Sequence, residues 1–196
     1  MIAHSELHCI TWKGVLFNPL CRLLIPILLL KYRGFWGLRC AALNCRILLV
    51  RKIMKRCYNL YCSSHSASVP LGVRFDGPPC LPHGLNGIFI GELTHIGRNV
   101  TILQQVTIGE DTFSPLHENA RRRIGDNVFI GAGAKIIGGV IIGNRCRIGA
   151  NCCVYKDLPD DSVAVMAPTR VIQKTNLDNS FRRGDRVFRD GRWVND

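Results

Sequence analysis

From Ile90 the sequence repeats in sixes: IGELTH, IGRNVT, ILQQVT, IGEDTF, then after ten residues (Ser114–Arg123) IGDNVF, IGAGAK, IIGGVI, IGNRCR, IGANCC, VYKDLP. The first position is Ile in nine repeats and Val in the tenth, and the second is Gly in most. The fifth is small or β-branched in nine: Thr94, Val100, Val106, Thr112, Val128, Ala134, Val140, Cys146 and Cys152. A period of six matches neither the two of a strand nor the 3.6 of a helix. It fits a short strand followed by a sharp corner. The first and fifth positions then point inward, and Gly permits the corner and a close backbone approach. Three sixes close one triangular coil, and stacked coils bond through parallel sheets as in solenoids. The pattern predicts a mainly β fold, a left-handed parallel β-helix of a little over three coils. The ten intervening residues leave one corner as an ejected loop, 114–123.

This core does not carry the charge of the chain. The net charge is +12, which by itself points to nucleic acid or an anionic membrane. Between Leu7 and Phe75 there is no Asp or Glu, against eleven Lys and Arg. The remainder is nearly balanced and lacks a basic surface interleaved with aromatics, which argues against a nucleic-acid partner. Leu43, Ile47, Val50, Met54, Cys57 and Tyr61 recur at three or four residues, one face of a helix. The expectation is a basic amphipathic helical segment over 1–65. Two alternatives stay open for 15–62: its apolar face packs on the protein or on a sister subunit, or it lies on an anionic membrane surface. The run Leu20–Leu30 contains Arg22 and Pro26 and is shorter than the ~20 residues a membrane span needs. The first residues do not read as a signal peptide.

Ten Cys occur without a C-x-x-C pair or zinc-like Cys/His spacing, so they read as reduced, small apolar residues of a cytoplasmic protein, with no metal expected. Residues 63–80 are rich in Ser, Gly and Pro and read as a connector and irregular opening coil. The domain expectation is a β-helix over 66–172 and a C-terminal extension over 173–196. In that extension, Asp190-Gly191 between RVFR and RWV is a two-residue hairpin signal.

The segments LPHGLNGIFIG (81–91), NVTILQQVTIG (99–109), IGDNVFIGAGAKIIGGVIIG (124–143), RIGANCCVYKDLPDDS (147–162) and APTRVI (167–172) resemble the hexapeptide-repeat acyltransferases. The nearer resemblance is to the serine O-acetyltransferase-like branch, which includes capsule and exopolysaccharide acetyltransferases. It covers about half the chain. It implies transfer of acetyl from acetyl-CoA to a hydroxyl without a covalent enzyme intermediate. Such a transfer needs a base near neutral pKa, which imidazole supplies, and His83 in LPHG matches the family's base. The serine-acetylating relatives carry an Asp directly before that base and another one coil earlier. Here those places hold Pro82 and approximately Ser68. Asp76 and Glu92 are the nearest remaining carboxylates, and a backbone carbonyl is an equal alternative for orienting the ring.

In the ejected loop the resemblance makes His117 a candidate acceptor contact, and Arg121 a candidate contact for an anionic group. For the donor it implies that Gly133 and Ala134 let the pantetheine arm lie along the coil. Lys135 and Arg147 would face the nucleotide phosphates. Met166 stands where the relatives usually have Gly. The resemblance also implies a homotrimer with sites between neighbouring prisms.

Missing acidic partners and a short N-terminal segment favour a sugar hydroxyl of a bacterial surface polysaccharide, or its lipid-linked precursor, as acceptor. That places the enzyme in the cytoplasm, at the inner membrane face if 15–62 binds lipid. Serine O-acetylation is the enzyme alternative. A γ-type carbonic anhydrase would need a shared three-His zinc site that His83, His95 and His117 do not spell out. A non-catalytic β-helix scaffold is the remaining alternative.

Overall fold

The computed structural model describes residues 12–109 and 122–167, with side chains from residue 18, and the strand backbones of 181–183, 186–189 and 192–195. Three helices come first: α1 (Trp12–Lys31), α2 (Phe35–Asn44) and α3 (Leu48–Ser64). Twelve short strands follow: β1 (Arg74–Phe75), β2 (Phe89–Ile90), β3 (His95–Ile96), β4 (Thr101–Ile102), β5 (Thr107–Gly109), β6 (Arg123–Ile124), β7 (Phe129–Ile130), β8 (Lys135–Ile137), β9 (Ile141–Ile142), β10 (Arg147–Ile148), β11 (Cys153–Val154) and β12 (Val163–Ala164). They form three parallel sheets: sheet I is β1-β3-β6-β9, sheet II is β4-β7-β10-β12 and sheet III is β2-β5-β8-β11. From β2 to β11 successive strands visit the three sheets in turn, which is the expected left-handed parallel β-helix.

The predicted interior is the observed one. All ten first-position residues are at most 5% exposed. The described fifth-position residues from Thr94 to Cys152 are buried as well. In register, Ile124 lies opposite Ile142 and Ile130 opposite Ile148, each pair separated by three whole repeats. Ile108 lies opposite Ile136, three repeats on plus the ten-residue interruption, so the stack keeps its register across the interruption. Each buried Ile contributes about 1.5–3 kcal/mol relative to exposure.

The corners divide their demands between two positions of the repeat. Gly at position two allows close approach: a Cβ on Gly131 would meet the Ala150 nitrogen at 2.6 Å. The left-handed conformation falls at position four instead, at Asn99, Gln105, Asn127, Gly133, Arg145 and Asn151. Asn tolerates that region better than most residues, and its recurrence at position four is the sequence signal of the corner.

The helical segment departs from expectation in one respect. It breaks at Cys45–Ile47, between α2 and α3. Leu43, Ile47 and Val50 are then exposed, and the buried face of α3 is Met54, Cys57, Tyr58 and Cys62. The cause is the first coil of the prism, whose open strand edge needs partners. Tyr58 Oη donates to the Val69 carbonyl at 2.7 Å. Arg39 Nη2 donates to the Leu71 and Val73 carbonyls at 3.0 and 2.5 Å, and its guanidinium lies 4.8 Å from the Phe75 ring. Phe35 stacks on Tyr58, and Trp36 meets Phe75 edge-on. α2 and α3 therefore cap the solenoid, as terminal elements of such stacks must. Burial pushes the Tyr58 phenol up and the Cys57 thiol up to about 12, with the neighbouring Cys21 adding to it. Both stay protonated.

Residues from Ala167 on form a second compact unit. Its strands β13 (Phe181–Arg183), β14 (Arg186–Arg189) and β15 (Arg192–Asn195) make an antiparallel sheet. Arg189 lies opposite Arg192, the register of the predicted two-residue hairpin, and β13 adds a third strand.

Two substitutions test this account. Ile136→Ala should cost about 2–5 kcal/mol in denaturant unfolding, whereas Ile141→Ala, on the half-exposed outer face, should cost under about 1 kcal/mol. Tyr58→Phe should cost about 1–3 kcal/mol by stranding the Val69 carbonyl. An unchanged midpoint would mean that the helices do not cap the prism.

Candidate active site

The first coil is longer than the others. Ser68 lies opposite Phe89, Arg74 opposite His95 and Cys80 opposite Thr101, each pair three residues further apart than three whole repeats. These three spans share only the stretch Cys80–Phe89, so the three additional residues sit there, around His83. The stretch makes two successive turns. The Gly84 N–H donates to the Leu81 carbonyl at 3.0 Å and the Ile88 N–H to the Leu85 carbonyl at 2.9 Å. Gly84 and Gly87 both have φ of 66°, which an L side chain would strain. The Asn86 side-chain amide donates to the His83 carbonyl at 3.0 Å, fixing the turn while the imidazole stays exposed.

The same corner, between sheets II and III, carries the predicted donor residues. The Asn86 carbonyl accepts the Gln105 N–H at 2.8 Å, and the Gln104 carbonyl accepts the Gly133 N–H at 2.9 Å. His83 and Gly133 therefore stand on one column, two coils apart. Lys135 leans back toward it, its Nζ donating to the Gln105 carbonyl at 2.7 Å. Arg147 is exposed on the adjoining face of sheet II, 5.9 Å from the Phe129 ring centroid. Ala134 is different: its side chain is fully buried, its N–H donates to the Gly131 carbonyl and its carbonyl accepts the Thr107 N–H. Its observed place is in the core, and its amide is already engaged.

Two residues on this column were missed from sequence. Gln104 holds a buried Oε1 with no hydrogen-bond partner among the described residues. His65 passes its carbonyl to the Gly87 N–H at 3.0 Å, while its ring Nδ1 lies 2.9 Å from the Tyr61 carbonyl. A carbonyl only accepts, so Nδ1 is the donor in this contact. His65 precedes the readable repeat, and the long first coil hides its phase. Gln104 occupies an ordinary corner position of the hexad.

The two carboxylates expected beside His83 stand elsewhere. Asp76 follows β1 at the corner between sheets I and II, and its Oδ2 lies 2.8 Å from His95 Nε2. The His95 imidazole, with Arg98 and Arg74 nearby, holds the Asp76 carboxyl below its ordinary range. Glu92 lies at the corner between sheets III and I, on a cavity of about 450 Å³ that it shares with Arg74, Thr94, His95, Arg122 and Arg123. There Arg122 Nε donates to Thr94 Oγ1 at 3.2 Å. The helical turn of the prism separates both carboxylates from the His83 corner, because each is placed by a different edge. His117 and Arg121 lie outside the described residues. The segment that holds them leaves from the corner of Glu92, after Gly109 and before Arg122.

Residues 123–156 match the family model described as bacterial transferase hexapeptide (six repeats). The repeat is that of the bacterial hexapeptide transferases. A serine acetyltransferase of Helicobacter pylori is 42% identical over 94 residues, 48% of this chain and 53% of the relative. One from Staphylococcus aureus is 41% identical over 99 residues, 50% of this chain and 44% of the relative. The chain thus spans about half the length of the curated relatives it matches. Among solved structures, the serine acetyltransferase of Neisseria gonorrhoeae aligns with a TM-score of 0.53 at 26% identity, over 74% of this chain and 52% of that one. The soybean serine acetyltransferase apoenzyme aligns with a TM-score of 0.55 at 27% identity, over 84% and 60%. These relatives overturn the sugar acceptor expected from sequence. That expectation rested on the absent carboxylates at Pro82 and Ser68 and on a short N-terminal segment. Neither outweighs 42% and 41% identity over 94 and 99 residues.

The Asp76 contact has a direct test. By NMR, the Asp76 carboxyl should titrate below ordinary aspartates, and in His95→Phe it should move up toward them. Its folded-state value is depressed, so its contribution to stability is present above the unfolded-state pKa and lost as pH falls through the folded one. An unmoved titration in the variant would assign the shift to the arginines instead.

Proposed function

We propose that this chain is an acetyl-CoA-dependent O-acetyltransferase with serine as acceptor, His83 acting as general base. The observation that carries this reading is the 42% identity to a serine acetyltransferase over 94 residues. The geometry adds that the His83 bulge and Gly133 share one corner, so acceptor chemistry and donor chemistry can meet along a single edge. In the proposed step His83 takes the serine hydroxyl proton as the oxygen attacks the thioester carbonyl. The tetrahedral intermediate collapses, the carbon–sulfur bond breaks, and the imidazolium returns the proton to the departing thiolate. O-acetylserine, CoA and neutral His83 result.

Gly133 fits the donor role through its buried, side-chain-free corner. Lys135 and Arg147 flank that corner on two faces and supply the cations that phosphates require. His117 and Arg121 belong to the proposal as acceptor contacts from the ejected loop. We further propose a homotrimer that closes the sites between prisms. Outward apolar residues on the prism faces, Phe89, Phe129, Ile141 and Val163 among them, support an interface of that kind.

The test is thiol release from acetyl-CoA with serine and with a panel of sugars. Serine should turn over, and His83→Ala should lower kcat about 10²–10⁴-fold with the fold intact by circular dichroism. Turnover with sugars alone, or an unchanged rate in His83→Ala, would overturn the assignment.

A further inference from the structure

The helical segment before the prism has a second face that no described residue covers. α1 turns Cys21 inward and packs Leu28 and Leu29 against Leu38, Ala42 and Met54. Its opposite stripe is Leu20, Leu23, Ile27 and Leu30, exposed by 60, 71, 61 and 85%. These recur at three and four residues, so they form one line along the helix. A second apolar exposure lies at the start of α3, where Leu48 and Leu49 are 63 and 69% exposed. Exposed cations accompany both: Arg22 and Lys31 on α1, Arg46 before α3, and Lys52 and Lys55 within it. No Asp or Glu occurs anywhere between Leu7 and Phe75.

We propose that this face seats on an anionic lipid bilayer, with α1 and the start of α3 lying in the plane of the interface. The combination of aliphatic stripe and unopposed cations is what such a surface takes. Apolar side chains enter the acyl boundary, and Lys and Arg reach the headgroups. A second copy of the chain is the poorer occupant. It would bring the exposed Arg22, Lys31, Arg46, Lys52 and Lys55 toward their own copies within a Debye length, with no carboxylate in either segment to answer them. Nucleic acid would match the cations and leave the leucines in water. Spanning is not part of the proposal, because no described helix is long and apolar enough to cross a membrane. The inference is independent of the acetyl-transfer reading.

The experiment is flotation of the full chain with phosphatidylglycerol–phosphatidylcholine vesicles and with phosphatidylcholine vesicles, at low and high salt. The wild type should float with the anionic vesicles and be released by salt. Leu23→Ser/Ile27→Ser should weaken partition more than about tenfold. Lys52→Gln/Lys55→Gln should weaken it about fivefold per residue and flatten the salt dependence. All four side chains are exposed, so the variants should retain the wild-type circular dichroism and the acetyl-transfer rate. Wild type that stays in the dense fraction at low salt would overturn the proposal. So would an apolar variant that floats like wild type. If that variant also halves the particle mass in light scattering, a second copy covers the face.

Discussion

Everything in this molecule hangs on the bond between one coil and the next. Each strand is two or three residues long, too short to be stable alone, and it is held only because the strand a full turn away presents the same edge in register. The register is enforced by the buried Ile column, since a slip of one residue would turn every Ile outward. The corner follows from the same constraint. To keep Ile over Ile, the backbone must turn sharply at a fixed place, and most repeats meet that with Gly at position two and a left-handed residue at position four. Stability, shape and the direction of each outward side chain are therefore one decision repeated.

A stack of this kind has an unsolved problem at its first coil, where Val69, Leu71 and Val73 offer carbonyls to nothing above them. Tyr58 and Arg39 answer it. This explains why a basic segment contains a buried arginine and a buried tyrosine, and why α3 rotates away from the face its periodicity suggests. The inner face of the helices belongs to the prism. Their outer face, with its exposed leucines, is left over by that arrangement rather than required by it.

The coils were legible in the sequence because one residue type recurs at one spacing, and a periodic signal survives without knowledge of tertiary contacts. His83 and Gly133 were legible for a related reason: each belongs to a motif of fixed phase. The placement of Asp76 and Glu92 was not. Distance along the chain suggested that both serve His83, but in a triangular prism one repeat carries the chain to another face. Asp76 finds His95 because their strands, β1 and β3, are neighbours in sheet I. Nearness in a solenoid is counted in whole turns, and a carboxylate close to His83 in sequence stands one corner away from it in space. The acceptor was misjudged through a similar weighting, in which two absent side chains stood against a resemblance that covers about half of the chain.

The departures from the three-repeat turn are the informative part of the pattern. A turn of three whole repeats only propagates the stack. The first coil runs three residues over, and the surplus forms the bulge that lifts His83 out of the wall. The coil spanned by Ile108 and Ile136 runs ten over, and His117 and Arg121 fall within that span, outside the described residues. The last, between Ile148 and Ala164, falls two short. That deficit lies at Val154–Leu158, where the chain cuts its corner before leaving the prism. Both insertions border sheet III, at its two different edges. A regular coil offers a substrate only a wall of outward side chains, so chemistry in this fold has to be built where the count fails. The two places where residues are added are the two places from which the proposed acceptor contacts come.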